Sequence, residues 1–197
     1  MELYVFDVAG LAGREAEALE RLTPGRREKA LRLRRELPRL QSIGAGLLLA
    51  RFFPGRDPVT GPNGKPLLPG GREFSLSHSG TLAVIALDDA PVGADVQQVR
   101  PVPEAVLRRV LSPAERETGD FFALWTRKEA VLKCLGTGLD RDLRSLEVLA
   151  DMTEPDDTVL FLHTERYKDC VISAASGVSA VFTPRELTPD ELLPRKE

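Results

Sequence analysis

The sequence predicts an α+β protein built of two similar halves related by a pseudo-twofold, with one active site at the interface between them. Three observations lead there. Strand-like and helix-like segments alternate along all 197 residues. The order of strand, Pro-opened helix, long helix and further strands comes round twice. Three local echoes recur in the same order, offset by roughly 90 residues. The halves are taken as residues 1–90 and 91–197.

In the first pass, Leu3–Val8 alternates like a strand. Thr23-Pro24 opens a helix, with Thr a good N-cap and Pro suited to the first turn. Pro38 should break or kink that helix, and a second helical stretch follows to about Phe53. Pro54 to Gly71, rich in Pro and Gly, is expected to be a loop. Phe74–Leu76 and Leu82–Leu87 look like strands joined by Ser77-His78-Ser79-Gly80.

In the second pass, Pro91–Val96 is a short apolar strand whose Asp95-Val96 echoes Asp7-Val8. Ser112-Pro113-Ala114-Glu115-Arg116-Glu117 echoes Thr23-Pro24-Gly25-Arg26-Arg27-Glu28. A long amphipathic helix is expected over Phe121 to Leu135. Strands are expected near Leu146–Leu149, Val159–His163 and Cys170–Ala174. Ser176-Gly177 to Phe182 echoes Ser79-Gly80 to Ile85, which sets Ala175 opposite His78. Polar groups on one side only of a pseudo-symmetric pair imply a single site between the halves.

Composition narrows the function. An apolar fraction of 42% is ordinary for a soluble globular chain. Two cysteines, Cys134 and Cys170, form neither a metal spacing nor a disulfide framework, which fits a reducing cytoplasm. Met1-Glu2-Leu3-Tyr4 lacks the basic start of a secretory signal, and the apolar run Ile43–Phe53 is too short to span a bilayer. No membrane association is therefore expected. A net charge of −3 argues against nucleic acid as partner. The pseudo-symmetric reading favours a monomer. Between Arg26 and Arg39, however, seven basic residues face only Glu28 and Glu36. That run is either a solvated helix face or a seat for an anionic partner.

Four segments carry chemistry. In Gly93-Ala94-Asp95-Val96-Gln97, strand alternation sends Asp95 and Gln97 to one face. A buried carboxylate there needs a cation, unless Asp95 caps a loop or pairs with Arg100. In Trp125-Thr126-Arg127-Lys128-Glu129-Ala130-Val131-Leu132-Lys133, helical spacing aligns Trp125, Glu129 and Lys133, with Lys128 at the edge. Glu129 and Lys133 could form an ordinary exposed i,i+4 pair, but Trp125 on the same stripe draws it inward. Phe74-Ser75-Leu76-Ser77-His78-Ser79-Gly80 offers hydroxyls and an imidazole suited to phosphate oxygens. No nucleophile-elbow motif accompanies the serines, so a hydrolase reading is weak. Gly61-Pro62-Asn63-Gly64-Lys65-Pro66 is a turn-rich loop with one cation.

Taken together and in order, these segments, followed by Gly136-Thr137-Gly138-Leu139, resemble the Sfp-type 4′-phosphopantetheinyl transferases from Thr23 to Phe182. The resemblance implies transfer of the 4′-phosphopantetheine arm of coenzyme A to a serine of an apo acyl or peptidyl carrier protein, releasing adenosine 3′,5′-bisphosphate. It implies Mg²⁺ held by Asp95 and Glu129, with Gln97 standing where many members have a third acid. It makes Lys128 and Lys133 phosphate and pantetheine contacts, and Lys65, Ser77 and His78 the coenzyme A cradle. Arg26 and Lys29 would hold the 3′-phosphate. Glu129, Lys128 and His78 would act on the reacting groups, Glu129 or a metal-bound hydroxide taking the serine proton. Arg32–Arg39 is a candidate face for an acidic helix of the carrier. The alternative is a non-catalytic coenzyme A-binding module of the same fold.

Overall fold

Leu82–Asp88 and Cys170–Ser176 are buried at every position, as only strands covered on both faces can be. Around these two strands the chain forms two four-stranded sheets. The structure is a computed structural model that describes residues 1–138 and 142–194. Its first half runs β1 (Glu2–Asp7), α1 (Glu15–Arg21), α2 (Pro24–Leu31), α3 (Glu36–Phe52), β2 (Val59–Thr60), β3 (Pro66–Leu67), β4 (Glu73–Ser79) and β5 (Leu82–Asp88). Then come β6 (Val92–Gln98), α4 (Glu104–Val110), α5 (Pro113–Thr118), α6 (Phe121–Leu135), β7 (Met152–Thr153), β8 (Leu160–Tyr167) and β9 (Cys170–Ser176). The chain closes with β10 (Arg185–Glu186) and α7 (Pro189–Leu192).

The sheets are ordered β10-β1-β5-β4 and β6-β9-β8-β7. Leaving aside the two-residue strands β10 and β7, the last of the three remaining strands lies in the middle of each sheet, β5 between β1 and β4 and β9 between β6 and β8, so the two three-stranded cores share one order. Alternation along β1 and β5 divides their side chains between two layers. Phe6, Ala83, Ile85 and Leu87 pack with Ile43, Leu47 and Leu48 of α3. Leu3, Val5, Leu82, Val84 and Ala86 meet Val92, Ala94, Val96, Ile172 and Ala174 of the other sheet. Beyond that sheet, Leu160, Leu162 and Ala175 pack under Leu124, Val131 and Leu132 of α6. Burying one Leu or Ile side chain contributes about 1.5–3 kcal/mol, so uncovering the shared layer would cost either sheet several such contributions.

The structure departs from the sequence-based expectations at particular places. Pro38 does not break a helix: it lies in the first turn of α3, where a missing N–H is no loss. The break comes earlier, between Leu31 and Glu36. Helices α1 and α4 were not anticipated. Leu146–Leu149 is not a strand, because Nη1 of Arg127 takes the carbonyls of Val148, Leu149 and Ala150 at 3.0, 3.3 and 3.1 Å. The expected turn Ser77–Gly80 shrinks to Gly80-Thr81, since β4 continues to Ser79 and pairs it with Leu82. The third echo joined unlike positions: Leu82–Ile85 lies in β5, whereas residues 177–182 follow β9. Ala175 accordingly belongs to β9 and is no counterpart of His78 in β4. Finally, β10 crosses the expected boundary at residue 90 and pairs in parallel with β1, Tyr4 opposite Arg185 and Val5 opposite Glu186. No helix among the described residues is long and apolar enough to cross a membrane.

Candidate active site

The site lies where β4, an edge of the first sheet, meets β6, an edge of the second. An edge strand presents N–H groups that need partners. On β4, Ser75, Ser77 and Ser79 fall on one face by strand alternation. Their hydroxyls accept from the backbone N–H of Ala94, Val96 and Gln98 at 2.9, 3.4 and 3.0 Å. Three side chains thus join the halves in a fixed register where a backbone ladder is missing.

That register sets Asp95. It is buried, and Ser77 donates to its Oδ1 at 2.6 Å. Lys133 Nζ reaches the same oxygen at 2.6 Å, and Gln97 Nε2 donates to Oδ2 at 3.1 Å. Neither a loop cap nor Arg100 is the partner. The carboxylate is paired and hydrogen-bonded, the condition under which a buried charge is tolerable.

Helix α6 delivers the other groups. Asp120 caps its start by accepting from Ala123 N at 3.2 Å. The helix rests directly on β6 at Gly93, where a Cβ would stand 1.8 Å from the carbonyl oxygen of Ala130. The glycine of the Gly93-Ala94-Asp95 motif therefore sets how close Glu129 and Lys133 come to Asp95. The helix ends at Gly136 in the left-handed conformation, φ 69°. The first half finishes this end: Asn63 Nδ2 donates to Gly136 O at 2.9 Å and Lys65 Nζ to Cys134 O at 3.1 Å. A cation at a helix C-terminus is favourably placed.

Trp125, Glu129 and Lys133 form a half-buried stripe. Lys133 pairs with Asp95 rather than with Glu129, so the intrahelical pair does not form among the described residues. Glu129 accepts no hydrogen bond among those residues. Burial pushes its carboxyl pKa up, the nearby Asp95 adds to this, and Lys133 opposes it.

A cleft of about 890 Å³ runs between the halves. Its lining includes Arg26, Lys29, Ser77 and His78 from the first half, and Asp95, Gln97, Glu129 and Lys133 from the second. Arg26 is braced by a bond from Nη2 to Ser42 O at 3.0 Å. Burial lowers the pKa of both Arg26 and Lys29. Burial first, and then Lys133, Lys29 and Arg26, holds His78 below the ordinary imidazole range. One end of the cleft is cationic, and the other carries two carboxylates.

Two expected contributors do not line the cleft itself. Lys128 does not line the cleft: it is fully buried, with Nζ 2.7 Å from Glu115 Oε2 and 2.6 Å from Leu143 O. It leaves α6 about 100° round the helix from Glu129, and its amine is consumed within its own half. Burial lowers its pKa while Glu115 opposes that shift. Lys65 lines an adjoining cavity of about 220 Å³ that shares Glu129 and Lys133 with the cleft and adds Phe74 and Leu132. Ser77 lines the cleft, yet its hydroxyl is committed to Asp95 and Val96. Leu139 of the Gly136–Leu139 motif lies outside the described residues.

The basic run also divides. Arg32 pairs with Glu28 and Arg39 with Glu15, both at 2.5 Å, which leaves Arg26 and Lys29 as its members in the cleft. No cluster of three or more His, Cys, Asp or Glu suited to a metal occurs among the described residues. The acidic end holds two carboxylates beside an amide oxygen, a hard-oxygen set that suits Mg²⁺ completed by phosphates and water. The unpartnered Glu129 fits such a cation.

Known proteins share sequence with part of this chain. Residues 91–187 match the sequence profile of the 4′-phosphopantetheinyl transferase superfamily. This part of the chain carries the sequence pattern of that superfamily. Across 129 residues the chain is 36% identical to the 4′-phosphopantetheinyl transferase psf-1 of Bacillus pumilus, covering 58% of this chain and 53% of that protein. It is 32% identical over 97 residues to 4′-phosphopantetheinyl transferase Sfp of Bacillus subtilis, covering 43% of each. It is 36% identical over 110 residues to 4′-phosphopantetheinyl transferase HetI of a Nostoc species, covering 47% of this chain and 46% of that protein. The chain spans about half the length of these curated relatives. The phosphopantetheinyl transferase match covers Asp95, Gln97, Glu129 and Lys133, the second half's share of the cleft.

Sequence reasoning missed three features of this region. The serine ladder was visible as Ser-x-Ser-x-Ser on one strand face. The contact at Gly93 had no signal beyond the glycine itself. The Lys128–Glu115 pair was hidden because its members come from different helices.

Proposed function

We propose that the chain moves the 4′-phosphopantetheine arm of coenzyme A onto a serine of an apo acyl or peptidyl carrier protein, releasing adenosine 3′,5′-bisphosphate. The observation that carries this reading is the meeting of Arg26, Lys29, His78 and Lys133 with Asp95 and Glu129 in one cleft. That is the charge pattern a 3′-phosphate, a pyrophosphate and a divalent cation require together.

Arg26 and Lys29 bind the 3′-phosphate. His78 and Lys133 lie against the pyrophosphate, where Lys133 has one N–H left after its bonds to Ala94 O and Asp95. Asp95 and Glu129, with Gln97, would hold Mg²⁺. When bound, that ion supplies charge neutralisation at the phosphate oxygens. Glu129, lining the cleft with no hydrogen bond of its own among the described residues, accepts the proton of the attacking serine. Such transfers rest on positioning and charge more than on covalent help. Lys128, spent on Glu115, supports α6 instead of touching phosphate.

In this reading residues 1–90 form the coenzyme A side and residues 91–197 the metal side, related by a pseudo-twofold that the shared strand order supports. The cleft is completed within one chain, which favours action as a monomer. The buried free thiols of Cys134 and Cys170 suit the cytoplasm.

The test is incubation with labelled coenzyme A, Mg²⁺ and an apo carrier. Covalent labelling of the carrier is expected, abolished by Asp95→Ala in a protein that still unfolds cooperatively. Replacing Arg26 and Lys29 with Ala should weaken coenzyme A far more than 3′-dephospho-coenzyme A. Tight coenzyme A binding without any labelling would instead establish a non-catalytic binding module.

A further inference from the structure

The cationic end of the cleft already contains an anion. Asp57, in the loop between α3 and β2, lines the cleft with Gly25, Arg26 and Lys29. Its Oδ2 accepts from the backbone N–H of Gly25 at 3.3 Å, and its Oδ1 accepts from the Thr23 hydroxyl. Thr23 is the N-cap residue of α2, yet its side chain makes no cap bond within the helix. Asp57 does that work from outside the helix. Carboxylate and helix touch closely, since a Cβ on Gly25 would lie 3.0 Å from Oδ2.

The first turn of a helix is where backbone N–H groups and the helix dipole favour an anion. Here a side chain holds that position beside the two cations. Among the described residues Asp57 forms no ion pair with either: Arg26 is bonded to Ser42 O, and its buried Nε has no partner. The carboxylate therefore occupies the anion position without neutralising the cations by contact. A phosphomonoester brought to Arg26 and Lys29 meets attraction from those two groups and repulsion from Asp57.

We propose that Asp57 is a specificity-determining residue of the cleft, a built-in anion that weakens the hold of Arg26 and Lys29 on a phosphomonoester. This rests on the reading that the cationic end receives the 3′-phosphate of coenzyme A. It gives Asp57 two consequences for that ligand. The carboxylate limits how tightly the released bisphosphate stays bound, and it lessens the discrimination between nucleotides with and without a 3′-phosphate.

Calorimetric titration of the full chain with adenosine 3′,5′-bisphosphate and with adenosine 5′-monophosphate tests this, using the parent, Asp57→Asn and Asp57→Ser. Asp57→Asn keeps one acceptor oxygen for Gly25 N–H and gains an amide N–H that can donate to the Thr23 hydroxyl, Asp57→Ser keeps one shorter hydroxyl, and both remove the charge. Thermal unfolding confirms that each is folded. Tightening of the bisphosphate on the order of tenfold is expected in both, as for removal of a nearby like charge, with the monophosphate unchanged. Unchanged or weaker bisphosphate binding in folded variants overturns the role of Asp57. Equal tightening of both nucleotides also overturns it, because the effect would not be specific to the 3′-phosphate. If the parent and both variants bind neither nucleotide, the coenzyme A reading fails and the inference falls with it.

Discussion

Ser77 on β4 donates to Asp95 on β6 at 2.6 Å, across the boundary between the two halves. The same hydroxyl accepts from Val96 N, so it fixes both the strand and the carboxylate that the strand carries.

Ser77→Ala should therefore affect metal binding and stability together. Losing the hydroxyl leaves a buried N–H and a carboxylate oxygen short of a partner, at a cost of about 1–3 kcal/mol. The concentration of Mn²⁺ needed for half-saturation, read by electron paramagnetic resonance, should rise several-fold. An unchanged Mn²⁺ curve beside reduced stability would make Ser77 a seam bond with no part in orienting Asp95.

Gln97→Glu should produce a protein that depends more on metal for its stability. Gln97 donates to Asp95 Oδ2, and a carboxylate cannot. Without metal, three acids would crowd the end of the cleft, and like charges repel. The melting temperature in chelator should fall below the parent's, and its rise on adding Mg²⁺ should exceed the parent's. Equal rises in the two proteins would place residue 97 outside the metal's reach.

Lys128→Met tests a structural assignment against a phosphate-binding one. Removing one member of a buried pair costs about 3–5 kcal/mol, and the denaturation midpoint should drop accordingly. Adding Glu115→Gln should recover part of that loss. At a temperature where Lys128→Met remains folded, the KM for coenzyme A should match the parent's. A raised KM with unchanged stability would return Lys128 to the ligand.

Gly93→Ala should cost roughly 3 kcal/mol or more, because the added carbon would overlap backbone rather than a movable side chain. Urea unfolding of the purified variant measures it. A parent-like midpoint would show that α6 can lift from β6 without penalty.

The parts of this architecture that were legible in the sequence are those with local signals. Leu82–Leu87 is apolar throughout and became a central strand, and Ser112-Pro113 became a capping box with Glu115. Gly93 to Gln97 and Trp125 to Lys133 stood out because Asp95 with Gln97, and Glu129 with Lys133, share a face. What stayed hidden depends on partners remote in sequence. Leu146–Leu149 looks like a strand until Arg127 claims the neighbouring carbonyls, and Lys128 looks like a phosphate ligand until Glu115 is found beneath it. Asp57 carries no pattern of its own and gains meaning only where its loop meets α2.

The seating of Asn63 and Lys65 on the end of α6 bears on how the molecule comes apart. A helix leaves its last carbonyls without internal partners, and here the other half supplies two of the donors. Unfolding the first half would strip these from α6 and bare the shared apolar layer at the same time. Heat should accordingly meet a single cooperative unit, with one calorimetric transition whose van't Hoff and calorimetric enthalpies agree. A protein whose halves share a strand order would then melt as though it had no halves.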